Sequence, residues 1–346
     1  MLIALVTDAW HPQVNGVVQT WTYTVRELQA LGHQVVLVTP EGARSIPVPS
    51  EPGLRLAVNP RSHVLAALDK CQPDALHIAT EGPLGWAARR LALARRWRFT
   101  TSYHTRFPEY LQRRLRIPAG LTYKIMRRFH EPASRVLVPT IAMRDELAAA
   151  RFTNLHVWAR GVDAERFRPQ HRNALPFERP IWLNVGRVAP EKGLEAFLAL
   201  DLPGTKVIIG NGPAESRLRA RFPQAQWLGA RTHTDLGPYY CAADVFVFPS
   251  RTDTYGLVML EANACGTPVA AFPVIGPIDV VRPGETGVLD ADLRAACMGA
   301  LVLDRGGVRR AVEPLSWRIN AEALLKLLVP TGAQSVASAD AALQSA

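Results

Sequence analysis

Cysteine is scarce in this chain. Four occur in 346 residues, at Cys71, Cys241, Cys265 and Cys297. No two share a metal-binding spacing, which excludes a zinc knuckle or a disulfide-stapled scaffold and points to reduced thiols in a cytoplasmic protein. Apolar runs long enough to span a bilayer are missing, so no membrane-crossing helix is expected. The N-terminus "MLIALVTDAW" has no basic leader and reaches Asp8 at once, so it reads as a first strand rather than a signal peptide. Acidic residues are thin in the first half. Residues 1–170 carry 23 Lys+Arg against 13 Asp+Glu, whereas 171–346 carry 17 of each. The whole net charge of +10 sits in the first half, where something anionic is expected to be met. An anionic membrane face and nucleic acid are the two candidates.

Short β-branched runs alternate with longer amphipathic stretches, the pattern of parallel α/β units. One series comprises "LIALVTD", "VVLVT", "ALHIAT", "FTTSY" and "RVLVPT"; a second begins at "PIWLNVGR" and ends at "PVAAF". The proline-rich stretch "RPQHRNALPFERP" (168–180) lies between them and reads as a linker. The expected fold is α/β, with two doubly wound Rossmann-like domains facing across a cleft. The expected boundaries are 1–172 for the first domain, 173–316 for the second, 317–330 for a helix crossing back to the first, and 331–346 for a disordered tail.

Three stretches of the second half carry chemistry. In "NVGRVAPEKG" a strand ends at Gly186 and is followed by Arg187 and Lys192, two cations at a strand-to-helix junction that suit a diphosphate. A solvated turn is the competing reading of these two taken alone. "IIGNGPAES" places Gly210 and Gly212 at the same sheet edge, a weak signal by itself. "SRTDTYGLVMLEANACG" puts Asp253 in the loop after a buried strand and Glu261 inside a helix that starts near Gly256. That helix start presents amides with partial positive charge. The two acids are placed to hold the hydroxyl-rich ends of a nucleotide sugar, with the amides on its charged middle. Read singly, Asp253 is a helix cap and Glu261 a solvated helix residue.

Together these residues resemble the GT-B glycosyltransferases of family 4, the retaining, nucleotide-sugar-dependent class. The Glu-x7-Glu signature stands here as Asp253-x7-Glu261. "NGVVQT", "SYHTRFPEY", "RGVDAERFRP", "GRVAPEKG", "GNGP", the run from Ala242 to Ala271 and "GPIDVV" follow in the expected order over residues 1 to about 325. Bacterial GDP-mannose-dependent α-mannosyltransferases are the nearest likeness, and diacylglycerol glycosyltransferases are close in pattern. The departure is aspartate in place of the first glutamate, which shortens the reach to the donor hexose. The resemblance implies that Arg187 and Lys192 hold the donor diphosphate, and that Asp253 with the amides of Tyr255, Gly256, Leu257 and Val258 contacts hexose and phosphates. It further implies that Glu261 holds the ribose, with the base beside "LGARTH" near Arg231. GDP-mannose is the first expectation for the donor and a UDP-glucose-type sugar the second; no obligatory metal or other cofactor is expected.

In the first half, Asn15 and Gly16 are expected to bring amides near the donor phosphates through an unusual backbone. His104, just past the strand "FTTSY", is expected at the cleft; the resemblance places a histidine there against the transferred sugar. Glu81 reads equally as a helix-start residue or an acceptor contact. Two basic stretches, 86–99 with Arg89, Arg90, Arg95 and Arg96, and 110–129 with Arg113 and Arg114, interleave cations with aromatics. Such segments either lie on anionic membranes or form core-packed helices with a solvated cationic face. The pair favours a lipid acceptor and peripheral attachment to the inner face of the cell membrane. The expected reaction is same-face transfer of a hexose, a phosphate oxygen taking the acceptor proton, with domain closure about residue 175 excluding water. Two rivals remain. A nucleotide-sugar epimerase or hydrolase would turn over without acceptor; a nucleic-acid-binding protein would not turn over at all. The second is disfavoured because the neutral half carries the motifs, so no nucleic-acid partner is expected.

Overall fold

The computed structural model of the chain describes residues 1–13, 15–48, 51–106, 118–170, 172 and 175–332. The chain separates into two compact units, one formed by Met1–Ala159 with the segment from Trp317 onward, the other by Arg160–Ser316.

The first unit holds a six-stranded sheet in the order β2-β1-β5-β6-β7-β8. Its strands are β1 (Leu2–Val6), β2 (Gln34–Val38), β5 (Ala75–Ile78), β6 (Thr100–Ser102), β7 (Arg135–Val138) and β8 (Leu155–Val157). All their pairings are parallel, with Leu5 opposite Leu37 on one side and His77 on the other. An antiparallel hairpin, β3 (Ser45–Val48) with β4 (Glu51–Ala57), stands apart. The period-2 alternation of β1 sends Ile3 and Leu5 to one face and Ala4 and Val6 to the other. On the first face, Ile3 and Leu5 pack with Trp21, Val25 and Leu28 of the Gly16–Ala30 helix and with Ala321, Leu324 and Leu328 near the chain end. Each buried Ile, Leu or Val among them contributes roughly 1.5–3 kcal/mol by leaving water.

The second sheet runs β11-β10-β9-β12-β13-β14, again all parallel. Its strands are β9 (Ile181–Val185), β10 (Thr205–Ile209), β11 (Gln226–Trp227), β12 (Val245–Phe248), β13 (Val269–Ala271) and β14 (Gly287–Leu289). Strand β9 has β10 on one side and β12 on the other, so chain direction across the sheet reverses between β9 and β12. In open α/β sheets such a reversal is where ligands bind, in the crevice outside the carboxyl ends of the two strands.

The sequence places the division between domains near residue 172; the contacts place it at Ala159/Arg160. Residues 160–168 are held by the second unit. Phe167 is buried in its core, Val162 N–H donates to the Leu315 carbonyl at 2.7 Å, and Arg309 donates to the carbonyls of Phe167 and Ala164. The last helix, Trp317–Leu327, packs on the Gly16–Ala30 helix. Trp317 stacks on Tyr23 with ring centroids 5.1 Å apart, and Thr24 donates to Asn320 Oδ1 at 2.9 Å. Thr331, read from sequence as the start of the tail, is buried and bonded. Its amide donates to the Asp74 carbonyl at 2.8 Å and its hydroxyl to the Pro73 carbonyl at 2.8 Å. The rest of the expected tail from 333 lies outside the described residues.

Candidate active site

The crevice of the second unit gathers residues from the loops after β9, β10, β12 and the helix Leu257–Ala264. Lys192 Nζ lies 2.6 Å from Asp253 Oδ1, joining the loop after β9 to the loop after β12. Arg187 pairs with Glu191, four residues on. Asp253 is drawn inward, and burial alone would raise its pKa. Lys192, a Ser250 contact and the Arg187 charge outweigh that and hold the carboxyl below the ordinary aspartate range. Its second oxygen, Oδ2, is buried and has no hydrogen-bond partner among the described residues. A buried carboxylate oxygen without a donor is costly, and a ligand hydroxyl would satisfy it.

Gly256 is the cap residue of the Leu257–Ala264 helix, with φ 90° and ψ 68°. A Cβ there would come within 3.0 Å of the Phe248 ring and 2.8 Å of Met259 Cε, so both conformation and space select glycine. Among the described residues no side chain caps this helix. Asp253 is therefore not its cap, and the Leu257 and Val258 amides open the helix without a side-chain acceptor. Tyr255 is anchored beside Arg160, its phenol pushed up to about 12 by burial. Arg160 is itself buried and lowered to about 10 by loss of water.

The glycines after β10 lie against the loop after β9. Val188 N–H donates to the Asn211 carbonyl at 2.8 Å and Gly186 N–H to the Ile209 carbonyl at 2.9 Å. A Cβ on Gly210 would stand 1.9 Å from the Gly186 carbonyl oxygen, so no other residue permits this approach.

Glu261, 6% exposed, is engaged at both oxygens, which the sequence did not reveal. His233 Nε2 lies 2.8 Å from Oε1, and the Tyr240 hydroxyl donates to Oε2 at 2.8 Å. Burial, the Glu261 charge and this bond push the Tyr240 phenol well above its usual value. Tyr240 therefore acts as a fixed donor. Glu261 is thus not a solvated helix residue. Arg231 is exposed, donates to the Tyr239 hydroxyl at 3.1 Å and lies over its ring.

In the first unit, Asn15 is an extended-backbone helix cap whose side-chain oxygen accepts from the Val17 and Val18 amides at 3.0 Å each. Gly16 is the first helical residue. The unusual backbone expected there is absent, and two amides expected to face phosphate are taken by Asn15. His104 lies two residues past β6 and is buried. Trp21 Nε1–H donates to His104 Nε2 at 3.0 Å, and the Ser102 hydroxyl lies 2.9 Å from the same atom. An indole N–H can only donate, so this contact selects the His104 form whose Nε2 carries no proton. The Ser102 hydroxyl continues to His77 Nε2 at 3.0 Å. Glu81 makes a buried pair with His130 at 3.1 Å, and His130 bonds on to Thr101. The helix-start role belongs instead to Asp8, whose carboxylate accepts from the Leu84 and Gly85 amides at 2.9 and 3.2 Å. Burial raises Asp8 despite these bonds.

The first basic stretch is partly engaged in packing. Trp97 is buried, and Trp86 is half-buried, packing edge-on against Phe129 at 5.0 Å. Arg89 donates to the carbonyls of Phe129 and Arg128, closing the end of the Ala119–His130 helix, and Arg95 pairs with Asp69. Arg90 and Arg96 are exposed. Arg113 and Arg114 lie outside the described residues. Among the described residues no helix is long and apolar enough to cross a membrane, and no group of three or more His, Cys, Asp or Glu could hold a metal. Asp290-Ala291-Asp292 is an Asp-x-Asp motif, where the sequence was expected to hold none. Asp292 caps the helix Leu293–Leu301 through the Arg294 amide, and Asp290 accepts from the Asp292 amide.

The family model for Glycosyltransferase Family 4 matches residues 14–166, and that for Glycosyl transferases group 1 matches residues 179–302. A GDP-mannose-dependent alpha-mannosyltransferase of Mycobacterium tuberculosis is 33% identical over 83% of this chain and 83% of its own length. A sulfoquinovosyl transferase of Arabidopsis thaliana is 32% identical over 80% of this chain and 61% of that protein. In structure, the sucrose-phosphate synthase of Thermosynechococcus elongatus superposes with a TM-score of 0.76 over 94% of this chain and 98% of that one, at 22% identity. The paired parallel sheets are the GT-B fold implied by the sequence. This chain belongs to glycosyltransferase family 4 and is a sugar-transferring enzyme.

Proposed function

We propose that the enzyme transfers mannose from GDP-mannose, with retention, to a hydroxyl of a lipid acceptor at the inner face of the cell membrane. The observation that carries the donor assignment is the Lys192–Asp253 pair across the β9/β12 crevice, with Asp253 Oδ2 unpartnered beside a helix that no side chain caps. The likeness to a GDP-mannose-dependent relative over most of both chains supports the choice of sugar and base.

In this reading Arg187 and Lys192 exchange their carboxylate partners for the donor diphosphate. Asp253 accepts from hexose hydroxyls through the oxygen left free. The amides opening the Leu257–Ala264 helix face the phosphates, and Glu261, held rigid by Tyr240 and His233, receives the ribose. As the bond to the anomeric carbon breaks, charge grows on the leaving diphosphate. Fixed cations and amides stabilise that charge without reorganising, and one such donor is worth about 3–4 kcal/mol in other enzymes. A phosphate oxygen accepts the proton of the incoming hydroxyl on the same face.

Acceptor recognition is assigned to the first unit. The Ala119–His130 helix exposes Leu121 (54%) and Ile125 (50%) beside the exposed Lys124 and Arg128. An apolar stripe flanked by cations fits an anionic lipid surface. A panel of GDP- and UDP-sugars with and without extracted lipid tests the whole reading. Label should pass from GDP-mannose into lipid. Release of free sugar without acceptor, or transfer only from another sugar nucleotide, would overturn it.

A further inference from the structure

We propose that Cys241 and Cys265 form a peroxide-sensitive dithiol site, oxidised to an intrachain disulfide. Twenty-four residues apart, the two thiols are brought together where the helix Gly237–Ala242 packs on the helix Leu257–Ala264: the Cys265 S–H donates at 3.7 Å to the carbonyl of Gly237, on the helix that carries Cys241. They share the wall of a cavity of about 380 Å³ with Arg172, Arg305, Arg309 and Arg310. The cavity gives a small oxidant access to side chains that are otherwise buried. Its guanidinium groups make it a favourable place for a thiolate.

The surroundings divide the two sulfurs by role. The neighbouring Cys265 thiol, the Gln170 backbone and the Arg305 charge pull the Cys241 thiol down against the effect of burial. The same pairing pushes Cys265 up. As a thiol, Cys241 donates to the Arg168 carbonyl at 3.2 Å, a contact that ionisation gives up. Cys241 is therefore the attacking sulfur and Cys265 the resolving one. The Cys241 thiolate attacks a hydroperoxide oxygen; an S–O bond forms, the O–O bond breaks, and the departing oxygen leaves as water after protonation. Cys241, now a sulfenic acid, has lost two electrons to the peroxide. The Cys265 sulfur then attacks the Cys241 sulfur. The S–S bond forms, the S–O bond breaks, and hydroxide leaves with the Cys265 proton as a second water.

The site sits directly behind Glu261. Tyr240, which donates to Glu261, precedes Cys241, and the Cys265 amide bonds to the Glu261 carbonyl at 3.2 Å. Closing the sulfurs to a disulfide length of about 2.05 Å draws both backbone segments together. The Tyr240–Glu261 geometry shifts with them, so oxidation weakens nucleotide binding. This consequence rests on the donor assignment above; the oxidation itself does not.

The test treats the folded full-length protein with hydrogen peroxide and maps its tryptic peptides. Arg251 separates the two cysteines, so the disulfide links peptides 232–251 and 252–294. The expected result is this cross-link, reversed by dithiothreitol and formed before any oxidation of Cys71, although Cys71 is the more exposed thiol. Cys265→Ser should leave a sulfenic acid on Cys241 that a 1,3-dicarbonyl reagent traps. Oxidation of Cys71 or Cys297 first, or separate oxidation of Cys241 and Cys265 without a cross-link, overturns the proposal. A second arm titrates GDP into reduced and cross-linked protein, with a several-fold rise in Kd expected on oxidation. An equal Kd overturns the coupling to Glu261. If neither form binds GDP, the donor assignment fails while the peptide map still decides the dithiol site.

Discussion

Lys192 and Asp253, 61 residues apart in sequence, meet at 2.6 Å where the loops after β9 and β12 come together. The contact fixes the loop carrying one expected donor ligand to the loop carrying another. Lys192→Ala should lower kcat/KM for the sugar nucleotide by about 100-fold or more, the cost of one removed leaving-group contact. It should change folding stability by less than about 1 kcal/mol, because the pair is partly solvated. Steady-state kinetics beside a urea titration separates the two effects. A variant that unfolds as much as it slows would make the pair structural.

Asp253 also sets a pH signature. Its folded carboxyl sits below the ordinary value of 3.8, chiefly through Lys192 acting against burial. The folded state therefore holds its proton less tightly than the unfolded chain. The resulting stabilisation is complete above the ordinary aspartate range and is lost as pH falls through the lower folded value. Asp253→Asn should flatten that acid limb and leave the neutral region's pH dependence unchanged. Urea midpoints of both proteins across acidic buffers measure this directly.

Glu261 is gripped by two groups from the segment that follows β11. Tyr240→Phe would leave one buried carboxylate oxygen without its donor, at a cost of about 1–3 kcal/mol. With Glu261 in the ribose-facing role, nucleotide affinity should fall while the chemistry of the bound complex changes little. GDP titration and a KM rise at near-constant kcat are the expected readouts. A kcat loss alone would move Glu261 away from the nucleotide.

How much of this was legible follows physical range. Strands and their carboxyl-end loops were readable because β-branched runs and strand-end glycines are local signals; Arg187, Lys192, Asp253 and Glu261 all fall where those signals placed them. His233 and Tyr240 were not readable as partners of Glu261. They stand 28 and 21 residues before it, and only packing of the Gly237–Ala242 helix brings them near. Asp8 was missed for the same reason, since it serves a helix start 76 residues away. Trp97 misled because an aromatic among arginines looks interfacial; the left-handed Arg96 before it belongs to a turn, after which Trp97 lies in the core.

His104 should separate binding from turnover. Its Nε2 is saturated by Trp21 and Ser102, so the ring is held in one orientation and one form. His104→Ala should bind GDP as the parent does and lose most transfer. Trp21→Phe removes the indole donor and should reduce kcat by a smaller factor, without changing the GDP Kd. Equal GDP weakening in both variants would assign the cluster to structure alone.

Gly256→Ala tests the helix start. A left-handed backbone costs a non-glycine residue about 1–2 kcal/mol, and the added methyl would lie 3.0 Å from the Phe248 ring. Met259 can swing its terminal methyl aside; the buried Phe248 ring cannot, so the helix start must move. The loss in stability should therefore exceed the backbone penalty. GDP binding should fall further than stability does, because the amides of Leu257 and Val258 would no longer point toward the proposed phosphate site. Thermal unfolding with and without GDP reads both quantities. A Gly256→Ala protein that is destabilised yet still gains the full ligand-induced shift in Tm would show that this helix start does not hold the phosphates.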